Sequence, residues 1–141
     1  MRNFTSFKLR GFNRVQQAAY VNRFYKNSVQ DKKITNTDTG IKIYFNNKGR
    51  NKTAKLYSSV EKAVVVLNIV DLLSDAKRVS TKFVKEDSAL RKIYPDSIIV
   101  FNFLIRCKVD RKIKKFICGV VMLKDGNFQY SLYHNELREK K

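Results

Sequence analysis

Hydrophobic and polar positions divide the chain into helical and extended stretches. Over residues 13–25, Val15, Ala18, Ala19, Tyr20, Val21, Phe24 and Tyr25 recur close to helical spacing, with Arg14, Gln17, Asn22 and Arg23 between them. A helix this short needs something to pack on. Residues 33–40 are turn-rich; then Ile41, Ile43 and Phe45 alternate with Lys42 and Tyr44, the period of a half-buried strand. Asn46, Asn47, Lys48 and Gly49 signal a turn. Ser58 and Glu61 stand at capping-box spacing, the serine accepting from a first-turn amide while the glutamate reaches back. The helix they open is expected to run to about Arg78. It is apolar around most of its circumference, hence buried, and Lys77 and Arg78 complement its C-terminal dipole.

A charged connector over 79–96 leads to three strand signals. Residues 98–109 are nearly all apolar, as in a central strand. Residues 114–123 return after a turn at Asp110, Arg111 and Lys112. Residues 124–127 form a compact turn, and Phe128, Tyr130 and Leu132 alternate in a last strand. This order predicts an α+β domain: an N-terminal helix and a buried central helix packed on a four-stranded, mainly antiparallel sheet from 41–45, 98–109, 114–123 and 128–133. Residues 1–32 read as a basic amphipathic helical segment and 33–141 as the α+β body, together one compact unit of ordinary domain length. No apolar run reaches the length of a membrane span, and a cytoplasmic location is expected. Residues 1–30 carry Arg2, Lys8, Arg10, Arg14, Arg23 and Lys26 without one acid, a composition that also suits a transit peptide; a helix of the domain is preferred.

Charge changes the picture most. Thirty Lys and Arg against twelve Asp and Glu give the 141-residue chain a formal charge of +18, a field that attracts polyanions. Seven Tyr and ten Phe accompany the cations, which favours a partner with phosphates and stackable bases. Nucleic acid, RNA before DNA, is the expected partner. Attachment of residues 1–30 to an anionic membrane is a further reading. Cys107 and Cys118 read as buried thiols in preference to a disulfide. With a single histidine they cannot assemble a zinc site, so neither metal nor cofactor is expected. The run Gly49, Arg50, Asn51, Lys52, Thr53 lacks the spacing of a nucleotide-hydrolase loop. It does gather cations on a tight turn, as a phosphate clamp requires.

Residues 34–43 (Ile-Thr-Asn-Thr-Asp-Thr-Gly-Ile-Lys-Ile), the helix end Leu72-Leu-Ser-Asp-Ala76, and residues 125–133 with Glu136 and Leu137 beyond them resemble nuclease-like domains of phage and mobile-element polyvalent proteins. These belong to the broad barnase, EndoU, colicin and RelE-like group. The resemblance implies helices on a four-stranded antiparallel sheet and metal-independent RNA cleavage, the ribose 2′-hydroxyl attacking the adjacent phosphate. That chemistry needs an acid–base group and cations around the phosphorane. His134, the lone histidine, is the candidate acid or base, with Arg50 and Lys52 as catalytic cations. Lys48, Lys55, Arg78 and Tyr133 are candidate substrate-binding residues. A toxin-like endoribonuclease would call for an acidic inhibitor protein as partner. The alternative is a non-catalytic nucleic-acid-binding protein of a phage or mobile element.

Overall fold

The structure, a computed structural model, describes residues 1–46 and 59–136, with side chains as far as residue 131. Two long strands organise it: β5 (Ser97–Val109) and β6 (Lys112–Leu123). They pair antiparallel from Ile99 opposite Met122 to Val109 opposite Lys112. The joining turn is Asp110 and Arg111, both at positive φ (50° and 71°), the handedness a two-residue hairpin demands. β7 (Phe128–Glu136) pairs with β6, and Gly126 at φ 87° lets the chain turn between them.

The expectation of a four-stranded sheet is corrected here. The sheet has seven strands, curled into a half-barrel. Beyond β7 lie β3 (Lys42–Tyr44), parallel to it, and then β2 (Lys33–Thr35). On its other edge β5 takes β4 (Lys77–Phe83) antiparallel over Ile99–Leu104, then β1 (Arg2–Phe4) parallel over Cys107–Val109. The three added strands are short or exposed on both faces. They lack the apolar alternation by which strands are read.

The central helix also departs from expectation. It opens at Ser59, whose side chain accepts from the Lys62 amide, and it is divided into α2 (Val60–Leu67) and α3 (Ile69–Asp75). Asn68 makes the break: its Nδ2 donates to the Val64 carbonyl at 2.8 Å, competing with the helical ladder. α3 stops at Asp75 because the turn-rich run after β2 closes it. Asn36, fully buried, donates Nδ2 to the carbonyls of Leu73 (2.8 Å) and Ala76 (2.9 Å). The Thr37 amide donates to Ser74 O at 3.0 Å, and Asp38 accepts from the Arg78 amide at 3.1 Å. The chain therefore leaves the helix extended and becomes β4.

Helix α1 (Arg14–Phe24) begins in a capping box between Asn13 and Gln16 and continues as a wide turn, Tyr25–Val29. Val21 and Tyr25 from this segment, Ala63–Val66 of α2, and Ile69, Leu72 and Leu73 of α3 form one core with the sheet. The sheet contributes alternate residues: Phe103, Ile105, Cys107 and Val109 of β5, and Phe116, Cys118 and Val120 of β6. Four consecutive buried residues in α2 mean that it is covered on every side. Each large side chain so buried contributes about 1.5–3 kcal/mol. Both cysteines are buried and free. Among the described residues no helix is long and apolar enough to cross a membrane.

Candidate nucleic-acid interface

Lys48, Arg50, Lys52 and Lys55 lie outside the described residues. The residues just before them are fixed. Phe45 and Asn46 are buried, the Tyr25 hydroxyl donates to the Asn46 carbonyl at 2.9 Å, and Asn46 Nδ2 donates to Gln129 of β7. The Tyr94 hydroxyl lies 3.4 Å from the Asn46 amide and donates to Tyr130 O at 3.1 Å. Burial raises the pKa of both phenols, so they serve as hydrogen-bonding groups and not as bases.

Tyr133 and His134 fall in β7, where the backbone of His134 stands opposite Cys118. Arg78 lies on β4 opposite Phe103, its guanidinium 5.3 Å from the centre of the Phe101 ring. Since Phe103 is opposite Cys118, Arg78 and His134 occupy the two ends of one row across four strands. Three strand spacings separate their backbones by about 14 Å. The backbones of these two candidates share a row, three strands apart.

The arrangement that sequence reasoning missed lies on the other face of the sheet. Residues out of phase with the core include Lys77 and Lys82 on β4, Arg106 and Lys108 on β5, and Lys115 on β6. Leu104 and Ile117, directly opposite each other and half-buried, lie among them. Strands β4, β5 and β6 contain eight Lys and Arg and no Asp or Glu. Arg106 and Lys115 are direct cross-strand neighbours, a pairing that like charges make unfavourable. Among the described residues the one ion pair is Arg2 with Asp75 at 2.7 Å, and neither belongs to this set. The β5 edge between β1 and β4 opens a groove of about 610 Å³ lined by Lys77, Leu104 and Arg106, and by Arg2 with its partner Asp75, among others. Low dielectric on the wall side of such a groove strengthens the field of its cations. One signal of this face is available in the sequence: 77–83, 97–109 and 112–123 are free of acids in a chain that has twelve. Among the described residues no group of three or more His, Cys, Asp or Glu is placed to hold a metal ion.

A family model described as "Large polyvalent protein-associated domain 3" matches residues 13–130. The chain belongs to that family. No curated protein and no solved structure matches it.

Proposed function

We propose that this large polyvalent protein-associated domain binds single-stranded nucleic acid, RNA first, across the basic face of β4, β5 and β6. The observation that carries the reading is the set Lys77, Lys82, Arg106, Lys108 and Lys115 on one face of three acid-free strands, with Leu104 and Ile117 between them. Cations hold phosphates without regard to sequence. The half-buried aliphatic pair gives sugars and base faces an apolar surface. Binding of a labelled RNA 20-mer, followed by anisotropy across a salt series, tests this. Five phosphate contacts predict a slope of about −3.5 in log K against log salt, from about 0.7 for each one on a single strand. No binding at 50 mM salt would refute the reading. An acidic protein that displaces the RNA would be a competitor for the same charges.

A second reading is the metal-independent endoribonuclease, with 2′-hydroxyl attack on phosphorus, loss of the 5′-oxygen and a 2′,3′-cyclic product. The observation favouring it is that Asn46, next in sequence to the basic run, is bonded to β7, the strand that contains His134. In it His134 is acid or base, Arg50 and Lys52 face the phosphorane, and Lys48, Lys55, Arg78 and Tyr133 hold substrate. Incubation of several RNAs in EDTA decides: cyclic-phosphate ends that vanish in His134→Ala support it. Their absence throughout leaves the binding function alone.

A further inference from the structure

Resting on the nucleic-acid reading, we propose that the tip of the β5–β6 hairpin and the N-terminal segment form an anchor pocket for one nucleotide of the bound strand. The base stacks on Phe7, and the phosphate is held by Arg10, Lys108 and Arg111. The pocket has a volume of about 870 Å³ and is lined by Asn3, Phe4, Thr5, Phe7, Arg10, Lys108, Asp110 and Arg111. Lys108 lies on the acid-free face, so the pocket continues the proposed binding surface.

Phe7 is 71% exposed, on a one-turn helix over Phe7–Leu9 whose Leu9 is buried in the core. Burying Leu9 fixes that turn and leaves the neighbouring ring in solvent. The Arg10 guanidinium lies 5.8 Å from the ring centre, and a guanidinium plane beside an aromatic ring is a surface on which bases stack. The hairpin tip is held against this segment. Asp110 accepts from the Ser6 amide at 2.9 Å and from the Ser6 hydroxyl at 2.5 Å, and its own amide donates to Phe4 O at 3.0 Å. The single carboxylate of the pocket is engaged on both oxygens by Ser6 and also faces Arg10; the three cations outnumber it and leave a net positive charge for an anion.

The turn itself is costly. Arg111 sits at φ 71°, in the second position of a hairpin turn that glycine fits without strain. A strained cation at a pocket rim is the kind of outlier that function retains. Exposed ring, an excess of cations over the one carboxylate and a stapled rim together match a unit bearing both a π-face and a phosphate.

The test compares a labelled RNA 12-mer with an abasic sugar–phosphate 12-mer, against the full chain and four variants. Phe7→Ala should weaken the RNA about 5- to 150-fold, the span that one base stack covers, and Phe7→Trp should restore it. Neither should change binding of the abasic oligomer. Arg111→Gly should raise Tm by relieving the turn and still lower affinity about fivefold at 0.1 M salt, a combination that a purely structural role does not produce. The double variant Arg106→Gln/Lys115→Gln separates the two claims. If it loses affinity while Phe7→Ala and Arg111→Gly bind like wild type, the anchor is wrong and the sheet reading stands. If wild type binds no oligomer at 50 mM salt, the sheet reading fails and the anchor with it.

Discussion

Replacing Arg106 and Lys115 with glutamine is the sharpest probe of the charged face. Their backbones are opposite one another near the hairpin end of the β5–β6 pair, so glutamine preserves the aliphatic stems and removes two positive charges. Each phosphate held on a single strand contributes about 0.7 decade of affinity per decade of salt. Releasing two phosphates at 0.1 M salt therefore weakens RNA binding by about 25-fold, or about 1.9 kcal/mol, and at 0.4 M by about fourfold. The slope of log K against log salt should become shallower by about 1.4.

Stability should move the other way, because like charges directly opposite cost about 0.2–1 kcal/mol in a sheet. Urea melts therefore belong beside the anisotropy titrations. Arg14→Gln/Lys26→Gln is the control. Both residues are exposed on the α1 side, so the net charge changes equally while the face stays intact. If the control weakens binding as much as the test variant, only total charge matters and the face is no site. If the test variant loses the same factor at every salt concentration and also melts earlier, its effect is damage to the fold.

Asn36→Ala should destabilise the protein by about 2 kcal/mol or more in urea unfolding, since it strips partners from the carbonyls of Leu73 and Ala76 in a buried site. Ser6 holds the Asp110 carboxyl below its ordinary value of 3.8, chiefly through its hydroxyl and then its amide. A carboxylate whose folded value is lowered contributes stability above its unfolded pKa and loses it as pH falls through the folded one. The Tm gap between wild type and Asp110→Asn should thus be constant from pH 7 to pH 5 and close below about pH 4. Burial raises the pKa of both Cys107 and Cys118, so a thiol reagent should modify neither in the native protein and both in denaturant. Phe83 is 82% exposed on a strand whose one described partner is β5; Phe83→Lys should leave stability within about 0.5 kcal/mol and reduce light scattering at high concentration.

What is legible in the sequence follows from where periodicity survives. β5, β6 and β7 are readable because long apolar runs between strong turn residues have few other solutions. α1 is readable as a helix, but its face is not: Gln17 is buried with Val21, while Val15 is exposed. The end of α3 is not. Apolar spacing runs through Leu72, Leu73 and Ala76, and the caps that stop the helix come from Asn36 and Thr37, distant in sequence. With the helix drawn to Arg78, β4 disappears, and with it the phase that puts Lys77 and Lys82 on the face of Arg106, Lys108 and Lys115. β1 is three residues long and pairs parallel with a strand about a hundred residues away, which no local pattern announces. Of the candidate site, Arg78 is legible as a cation, but its row mate His134 is three strands away. Such separations appear only when register is known.

How the chain uses its acids sharpens the functional argument. Asp75 is held by Arg2, Asp110 by Ser6, Asp31 by the Tyr44 hydroxyl at 2.6 Å, and Asp38 by the Arg78 amide. In three of these four pairings the donor is a hydroxyl or a backbone amide, and each joins segments distant in the chain. These four carboxylates act as staples of the fold, and among the described residues no carboxylate forms an ion pair with Lys77, Lys82, Arg106, Lys108 or Lys115. A protein using charge for stability would interleave the signs, as networks of ion pairs do. Here the signs are segregated at a cost in self-repulsion, and a sheet has too little dipole of its own to offset it. The proposed polyanion on the face would offset that cost as its counterions are released. This segregation of charge is the reason the proposed function places a nucleic-acid partner on the face.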